Sequence, residues 1–219
     1  MAVPTGIHRV NWLWLNRKLF ERLGLTPPTD WEHFMTVAEQ LKAQGVTPLA
    51  IGNEPWQLAV LFETVALGEG GKAFYRKAFL EQDSATLTGP DMVRVLTRFQ
   101  QLRAYVPEKY AGLKWHQATN LLESGGAAMQ VMGDWVKGEL SAGNYRPGED
   151  IECLPSPGSQ GLFSYNLDSI AMFKQRDPAQ LQAQGELARL LMTPRFQEEF
   201  NRVKGSIPAL TKPDMSKFD

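Results

Sequence analysis

The chain has 219 residues, of which 43% are hydrophobic and 10% aromatic, and this composition is typical of a folded globular protein rather than a disordered one. Its 23 Lys and Arg residues nearly balance its 24 Asp and Glu residues, for a formal net charge of -1. Such a balance creates no general attraction for phosphate backbones or anionic lipids, so nucleic acid is not an expected partner. The single cysteine, Cys153, excludes an intrachain disulfide and argues against a cysteine-based zinc site.

Strand and helix patterns alternate along the first half of the chain. In order, they predict a strand at 8–15, a short helix at 16–23, a helix between Thr29 and Gly45, a strand at 47–51 and a helix at 55–67. Thr29 and Glu32 have capping-box spacing, and Gly45 is suited to a left-handed helix end. The glycines at 68–71 follow a helix rather than a strand, so they are interpreted as a helix stop and not as a phosphate-binding loop.

The second half continues the alternation. In order, it predicts a helix at 88–102 capped by Thr88 with Asp91, a helix at 117–122, a strand at 127–132, a helix at 136–140, strands at 151–154 and 165–173, and helices at 178–192 and 194–202. The segment at 155–159 is rich in Pro, Ser and Gly, which favours a surface loop or hinge. Strands separated by helices predict an α/β fold with helices packed on a largely parallel or mixed sheet.

The sequence contains none of the common catalytic or cofactor motifs. His8, His33 and His116 are too scattered for a histidine metal site. There is no nucleophile elbow, no Walker A loop and no dinucleotide-binding glycine motif. We therefore expect no metal, no cofactor and no catalytic residue.

Polar and aromatic residues are instead placed together at the predicted element ends. They are Glu54-Pro55-Trp56, Asp134-Trp135, Asn166 with Asp168, and Lys204. A sugar has apolar C–H faces that lie on aromatic rings and hydroxyls that donate and accept hydrogen bonds, so this combination suits a carbohydrate. Each of these residues could instead have no role in ligand binding, because a lone Trp usually packs against the core and a solvated Asp or Lys usually lies on the surface.

Several motifs in a fixed order resemble one known family. They are IHRVNWLW at 7–14, PTDW at 28–31, GVTPLA at 45–50, AMQVMGDW at 128–135, NLDS at 166–169 and KGSIP at 204–208. With these motifs the chain resembles the extracellular solute-binding proteins of bacterial ABC sugar importers, in the maltose-binding-like group and its glucose- or mannose-binding branch. The resemblance extends over essentially all 219 residues.

The resemblance implies a fold, a ligand and a set of binding residues. The fold is α/β of the periplasmic-binding-protein type II, in which two lobes close over a sugar and the closed form is recognised by membrane permease subunits. The expected ligand is glucose or a mannose-like monosaccharide, and the expected location is the periplasm, although residues 1–6 lack a signal-peptide pattern. The implied ligand-binding residues are the platforms Trp56 and Trp135, the hydroxyl-binding Asn166, Asp168 and Lys204, and, less strongly, His8 and Arg9.

Family members are roughly twice as long as this chain. The resemblance therefore implies that residues 1–219 are a partial, truncated solute-binding protein centred on the second lobe. A segment at about 163–203 is expected to cross back towards a first lobe.

Two alternatives remain open at this stage. Paired carboxylates flank the scissile bond in glycoside hydrolases, so Asp134 and Asp168 could form a catalytic pair. The chain could otherwise be an interaction module without a ligand site, because a sheet edge or apolar patch that lacks its partner favours self-association.

Overall fold

The computed structural model describes residues 1–143, 145–146 and 148–218, apart from the side chain at 108, and divides into two compact units. The large unit is Val10–Ser164, and the small unit combines residues 1–9 with residues 165–218. The chain thus leaves the small unit after Arg9 and returns to it at Tyr165. Within the described residues, no helix combines the length and the hydropathy needed to span a bilayer.

Strands and helices follow one another in the order expected of an α/β chain. They are β1 (Ala2–Arg9), β2 (Trp12–Asn16), α1 (Arg17–Leu23), α2 (Trp31–Ala43), β3 (Thr47–Leu49), α3 (Pro55–Tyr75), α4 (Ser84–Leu87), α5 (Pro90–Leu102), α6 (Trp115–Glu123), β4 (Ala127–Met132), α7 (Trp135–Ala142), β5 (Ile151–Pro155), β6 (Tyr165–Ala171), α8 (Pro178–Leu191) and α9 (Pro194–Lys204).

The large unit is built on a mixed sheet with the strand order β3-β4-β2-β5. Strand β2 is antiparallel to β4 and to β5, whereas β3 is parallel to β4. All six residues of β4 are buried, as expected for a central strand that is covered on both faces. The expected α/β fold with helices on a mixed sheet is confirmed.

Helices cover both faces of this sheet because successive strand residues point to opposite sides. Leu13 and Leu15 join the larger core cluster with buried residues of α2, α3 and α5. Trp14, between them in the chain, joins a second cluster with buried residues of α6 and α7. The ends of α3 and α7 that carry Trp56 and Trp135 are therefore anchored by a packed core.

The small unit is built on an antiparallel pair, β1 and β6, whose register places His8 opposite Asn166. Its buried apolar cluster is small and consists of Val3, Met172 and Leu191. Polar side chains attach α9 to β1: Gln197 Nε2 donates to the carbonyl of residue 4 at 3.1 Å, and Asn201 Nδ2 donates to the carbonyl of residue 5 at 2.8 Å. These bonds supply part of the cohesion that apolar packing supplies in the large unit.

Several predicted helix ends are confirmed by their cap geometry. The side chains of Asp177 and Thr193 accept hydrogen bonds from the backbone at the starts of α8 and α9. Gly24 ends α1 in the left-handed region with φ 64°. For α2, however, the cap is Asp30, which accepts from the His33 backbone, and not the expected Thr29–Glu32 box. The start of the helix predicted at 88–102 also differs, because α5 begins at Pro90.

The strand predicted at 8–15 is in fact two strands, and the first reaches back to residue 2. The break lies at Asn11, whose side chain is fully buried. Asn11 Nδ2 donates to Ser159 Oγ at 3.0 Å and to the carbonyl of Leu162 at 3.1 Å. The chain is therefore held at this point by side-chain bonds to residues about 150 positions away, which local patterns do not reveal.

The helix predicted at 55–67 is interrupted at the last of the glycines at 68–71, and the segment at 155–159 is not a surface loop. The helix runs past residue 67 and is broken at Gly71, whose φ of 74° and ψ of 179° are not helical; a second helical segment of α3 then reaches Tyr75. A Cβ on Gly68 would lie 2.2 Å from the carbonyl oxygen of Pro157, so this glycine allows the segment to pack against the helix. Ser156 and Ser159 are accordingly fully buried.

Candidate functional site

Four of the predicted site residues are in contact in the small unit, around the carboxylate of Asp168. Lys204 Nζ lies 2.9 Å and His8 Nε2 3.2 Å from Asp168 Oδ2. Asn166 Nδ2 donates to Asp168 Oδ1 at 2.9 Å. The β1–β6 register brings His8, Asn166 and Asp168 together, and Lys204 joins them as the last residue of α9. We call these four residues the Asp168 cluster.

The Asp168 cluster is partly open to solvent and electrostatically favourable. The side chains of Asp168 and Lys204 are each 37% exposed, whereas His8 is buried. Burial by itself raises the pKa of Asp168, but the hydrogen bond and charge of Lys204, the charge of His8 and the Asn166 bond outweigh it and lower this pKa. The carboxylate therefore stays ionised at neutral pH and is oriented before any ligand binds.

The two predicted tryptophans are in contact in the large unit. Trp56 lies in the first turn of α3, and Trp135 is the first residue of α7. Their ring centroids are 6.2 Å apart and the ring planes make an angle of 60°. Trp56 is 40% exposed, so the pair presents an accessible aromatic surface of the kind on which an apolar ligand face can lie.

Three polar residues beside Trp56 complete this part of the large unit. Lys114 Nζ donates to Glu54 Oε1 at 2.5 Å, and Gln57 Nε2 donates to Glu54 Oε2 at 2.9 Å. The hydrogen bond from Lys114 is the largest of the effects that lower the pKa of Glu54. Burial opposes it, whereas bonds from Gln57 and Trp56 and the charge of Lys114 act with it. We call Glu54, Gln57 and Lys114 the Glu54 cluster.

Sequence patterns reveal only part of the Glu54 cluster. Glu54 is noticed as a neighbour of Trp56, and Gln57 follows it at the i, i+3 spacing of a helix start. Lys114 lies 60 positions from Glu54, so no local pattern connects them. Only the packing of the segment before α6 against the start of α3 shows that Lys114 belongs here.

The Asp168 cluster in the small unit suits a neutral, hydroxyl-rich ligand, and so do the Glu54 cluster and the tryptophan pair in the large unit. Ionised carboxylates accept from hydroxyls, ammonium groups donate to them, and the tryptophans offer an apolar surface. Among the described residues, no three His, Cys, Asp or Glu side chains are grouped as metal ligands. The Asp168 cluster belongs to the small unit, and the Trp56–Trp135 pair belongs to the large unit.

The fold places the chain in a structural class. A solved chitin oligosaccharide binding protein superposes with a TM-score of 0.79 at 22% identity, covering 98% of this chain and 56% of the other. At this identity the likeness concerns the fold, which is that of the type II periplasmic binding proteins.

Sequence comparison then identifies the family. Residues 1–174 match the model of the bacterial extracellular solute-binding proteins, and the chain belongs to that family. It is 40% identical over 222 residues to a probable sugar-binding periplasmic protein of Brucella suis biovar 1, covering 100% of this chain and 52% of the relative. It is also 32% identical over 221 residues to an uncharacterized ABC transporter extracellular-binding protein of Pyrococcus horikoshii, covering 100% of this chain and 49% of that one. The chain thus spans about half the length of these relatives.

Proposed function

We propose that this chain captures a sugar, without catalysis, as part of the binding component of a bacterial ABC importer. The observation that carries the proposal is the Asp168 carboxylate, which accepts from Asn166 and Lys204, lies 3.2 Å from His8 Nε2 and remains partly exposed. Such a carboxylate is ready to accept hydroxyl hydrogen bonds without reorganisation. The names of the Brucella and Pyrococcus relatives point in the same direction.

For the ligand we propose glucose or a closely related aldohexose such as mannose. Within the small unit we propose His8, Asn166, Asp168 and Lys204 as hydroxyl-binding residues. Within the large unit we propose Trp56 and Trp135 as aromatic residues that contact an apolar sugar face. The ion pairs Lys204–Asp168 in the small unit and Lys114–Glu54 in the large unit each combine one positive and one negative side chain. Because the charges of each pair balance, they support an uncharged ligand.

Location and partners follow from the same proposal. The protein would act in the periplasm and deliver its sugar to the permease subunits of the importer. Residues 1–219 would be a partial solute-binding protein centred on the second lobe, which we assign to the large unit, with about 163–203 as the segment that crosses back. The return of the chain to the small unit at Tyr165 supports this last assignment.

In the hydrolase alternative, Asp168 does not suit the role of general acid. A general acid needs a raised pKa so that it carries a proton at neutral pH, whereas the balance of burial and donors lowers the pKa of Asp168.

Self-association has an observation in its favour, because most residues of β6 are exposed and include Tyr165, Leu167 and Ile170. We propose it as a property that accompanies sugar binding.

Titration calorimetry tests the proposed function. Glucose, mannose, galactose and a chitin oligosaccharide are titrated into the full chain and into Asp168→Asn, which keeps the shape but removes the charge. We expect saturable heat with an aldohexose and an affinity at least about tenfold weaker in the variant, since bonds to charged groups are worth about 1.5–3 kcal/mol.

Asp150→Asn is the matched control. Asp150 also accepts from a lysine, Lys18, at 2.8 Å, but it belongs to neither cluster. The Asp150→Asn variant should bind each sugar with the same affinity as the unchanged chain. No heat with any sugar contradicts the proposal, and equal affinities of the unchanged chain and Asp168→Asn remove Asp168 from the site.

A further inference from the structure

A cavity of about 510 Å³ lies in the large unit, between α3, α5 and the segment that follows α5. Its volume falls within the range of about 300–1,000 Å³ that is typical of small-molecule sites. Among the described residues that line it, none belongs to the Asp168 cluster, to the Glu54 cluster or to the Trp56–Trp135 pair. We call it the α3–α5 cavity.

The inner walls of the α3–α5 cavity are apolar and belong to the packed core. Helix α3 contributes Leu58 and Leu61, which are three residues apart and therefore lie on one helix face. Helix α5 contributes Phe99 and Leu102 with the same spacing. Leu61 and Leu102 are buried. The cavity thus continues from the protein surface towards the larger core cluster, and its interior favours an apolar ligand.

The two aromatic walls are held in place by contacts outside the cavity. The Phe99 ring meets Phe62 edge to face, with ring centroids 5.4 Å apart. The hydroxyl of buried Tyr110 donates to the carbonyl of Gly126 at 3.3 Å. Because these rings are already fixed, an apolar ligand would enter a formed cavity and little further ordering of the walls would oppose binding.

The rim of the α3–α5 cavity is polar and positively charged. Its lining residues Asn53, Gln100 and Arg103 are exposed to solvent. Arg103 is the one charged residue among the described lining residues. Within the part of the chain that the structure describes, its guanidinium has no ion-pair or hydrogen-bond partner. Lys109, whose Nζ lies 5.6 Å from the centre of the Tyr110 ring, adds a second positive charge nearby.

We propose that the α3–α5 cavity binds a small amphipathic carboxylate, with an apolar body of about ten carbon atoms inside and the carboxylate at Arg103. The planar guanidinium matches a carboxylate in bidentate geometry, and the carboxamides of Asn53 and Gln100 offer further N–H donors. A sugar would bury hydroxyls against the apolar walls, which is unfavourable. The ligand class therefore differs from that of the proposed function, and this inference does not depend on it.

Titration calorimetry with decanoate, decanol and decylammonium at pH 7 tests the apolar body and the charge separately. The three compounds share one ten-carbon chain and differ in the head group. We expect one decanoate to bind per chain, at least about tenfold more tightly than decanol, because hydrogen bonds between charged groups add affinity. Decylammonium should bind more weakly than decanol, because its charge is repelled by Arg103.

Arg103→Gln isolates the contribution of the guanidinium. This variant should lose the preference for decanoate over decanol, while its affinity for decanol stays within about twofold of that of the unchanged chain. Arg22→Gln is the matched control, because Arg22 is also exposed but lines a different cavity of the large unit. The Arg22→Gln variant should keep the full preference for decanoate.

Two further measurements locate the ligand. Ala111 is an exposed lining residue, so Ala111→Trp should fill the cavity from its surface side and weaken binding of both decanoate and decanol at least about tenfold. Circular dichroism and thermal unfolding verify that the variant is folded. In the unchanged chain, decanoate should shift the methyl resonances of Leu58 and Leu61, but not those of Leu140, which lies in a different core cluster.

The inference is overturned if decanoate shows no saturable binding, or if decanoate and decanol bind the unchanged chain equally. Normal binding by folded Ala111→Trp, or methyl shifts confined to residues outside the cavity, would also overturn it, because the ligand then lies elsewhere. If Ala111→Trp does not fold, the Arg103→Gln comparison and the methyl shifts decide. No sugar is present in these measurements, so failure of the inference and failure of the proposed function are distinguished.

Discussion

Asp168 should contribute to folding stability only within a defined range of pH. Burial raises its pKa, but the Lys204 bond and the charges of Lys204 and His8 bring it below the ordinary value. Such a group stabilises the fold above its unfolded pKa of about 4, and the stabilisation is lost as the pH falls through the lower folded value. We expect Asp168→Asn to lower the free energy of unfolding by up to about 1 kcal/mol at pH 7, because the pair is partly exposed.

At pH 3 the effect of Asp168→Asn should be smaller, because part of the carboxylate population is then protonated in the unchanged chain. Urea unfolding at the two pH values measures the difference. The same loss of stability at both would show that the charge of Asp168 is not what stabilises the small unit.

Gly158 offers a second test at the scale of single residues. It has φ 74°, and an added Cβ would lie 2.5 Å from the carbonyl oxygen of Gly68 in α3. Gly161 has nearly the same backbone, φ 75°, but open space around the Cβ position. Gly161→Ala should cost about 1 kcal/mol of stability from backbone strain alone, and Gly158→Ala about 1–3 kcal/mol more from the clash.

Thermal or urea unfolding of the two alanine variants isolates the contact, since the backbone contribution cancels in their difference. Equal destabilisation would mean that the segment at 155–159 moves away from α3 at little cost.

Residue patterns indicate which side chains belong to the candidate site better than they indicate how these are arranged. The motifs of the sequence point to four side chains that the structure brings into contact, and their role in binding stays a prediction. They are His8, Asn166, Asp168 and Lys204. Lys114 is missed because its contact with Glu54 depends on tertiary packing.

At the scale of elements, the sequence is most informative where local chemistry determines the ends. Strand β4 is found at the predicted bounds because an apolar run lies between Gly126 and Gly133. The course of α3 past residue 67 is not foreseen, because glycine has a low helix propensity. The packing of Gly68 against Pro157 explains this glycine, and it depends on residues about 90 positions away.

Strand β6 is an exposed edge with consequences for association. Within the described part of the chain it pairs only with β1, and Leu167 and Ile170 are 50% and 41% exposed. Exposed apolar edge strands recruit further strands, and a lysine on such an edge opposes this. We expect Leu167→Lys to weaken self-association at least about tenfold, measured by sedimentation velocity over a range of concentrations.

Leu80→Lys is the control for that measurement, because Leu80 is also exposed but lies in the large unit. It should leave association unchanged. If the unchanged chain is monomeric, or if both substitutions act equally, β6 is not the associating surface.

At the scale of the whole molecule, the two units differ in how much apolar core they contain. Among the residues that the structure describes, the large unit contains three clusters of buried apolar residues. The small unit contains a single cluster, which consists of three residues. Because stability follows local burial, the units should open with different free energies. Amides of β4 should exchange with solvent at least about 100-fold more slowly than the paired amides of β6.

Hydrogen exchange followed by mass spectrometry measures this difference under native conditions. Peptides from α5 should follow β4, since Val95 and Leu102 lie in the same cluster as Met129. Equal protection of β4 and β6 would indicate a single cooperative unit.

The attachment of α9 restricts which helices could replace it. Apolar contacts allow a helix to slide by fractions of a turn, but directional bonds from Gln197 and Asn201 to successive carbonyls of β1 hold one alignment. Gly6 contributes because a Cβ there would lie 2.4 Å from Asn201 Oδ1. A helix of equal length that packed only through apolar side chains would cover β1 as well. It would not fix the position of the Lys204 ammonium group along the strand. The two buried carboxamides of α9 thus determine the position of the partly exposed positive charge at its last residue.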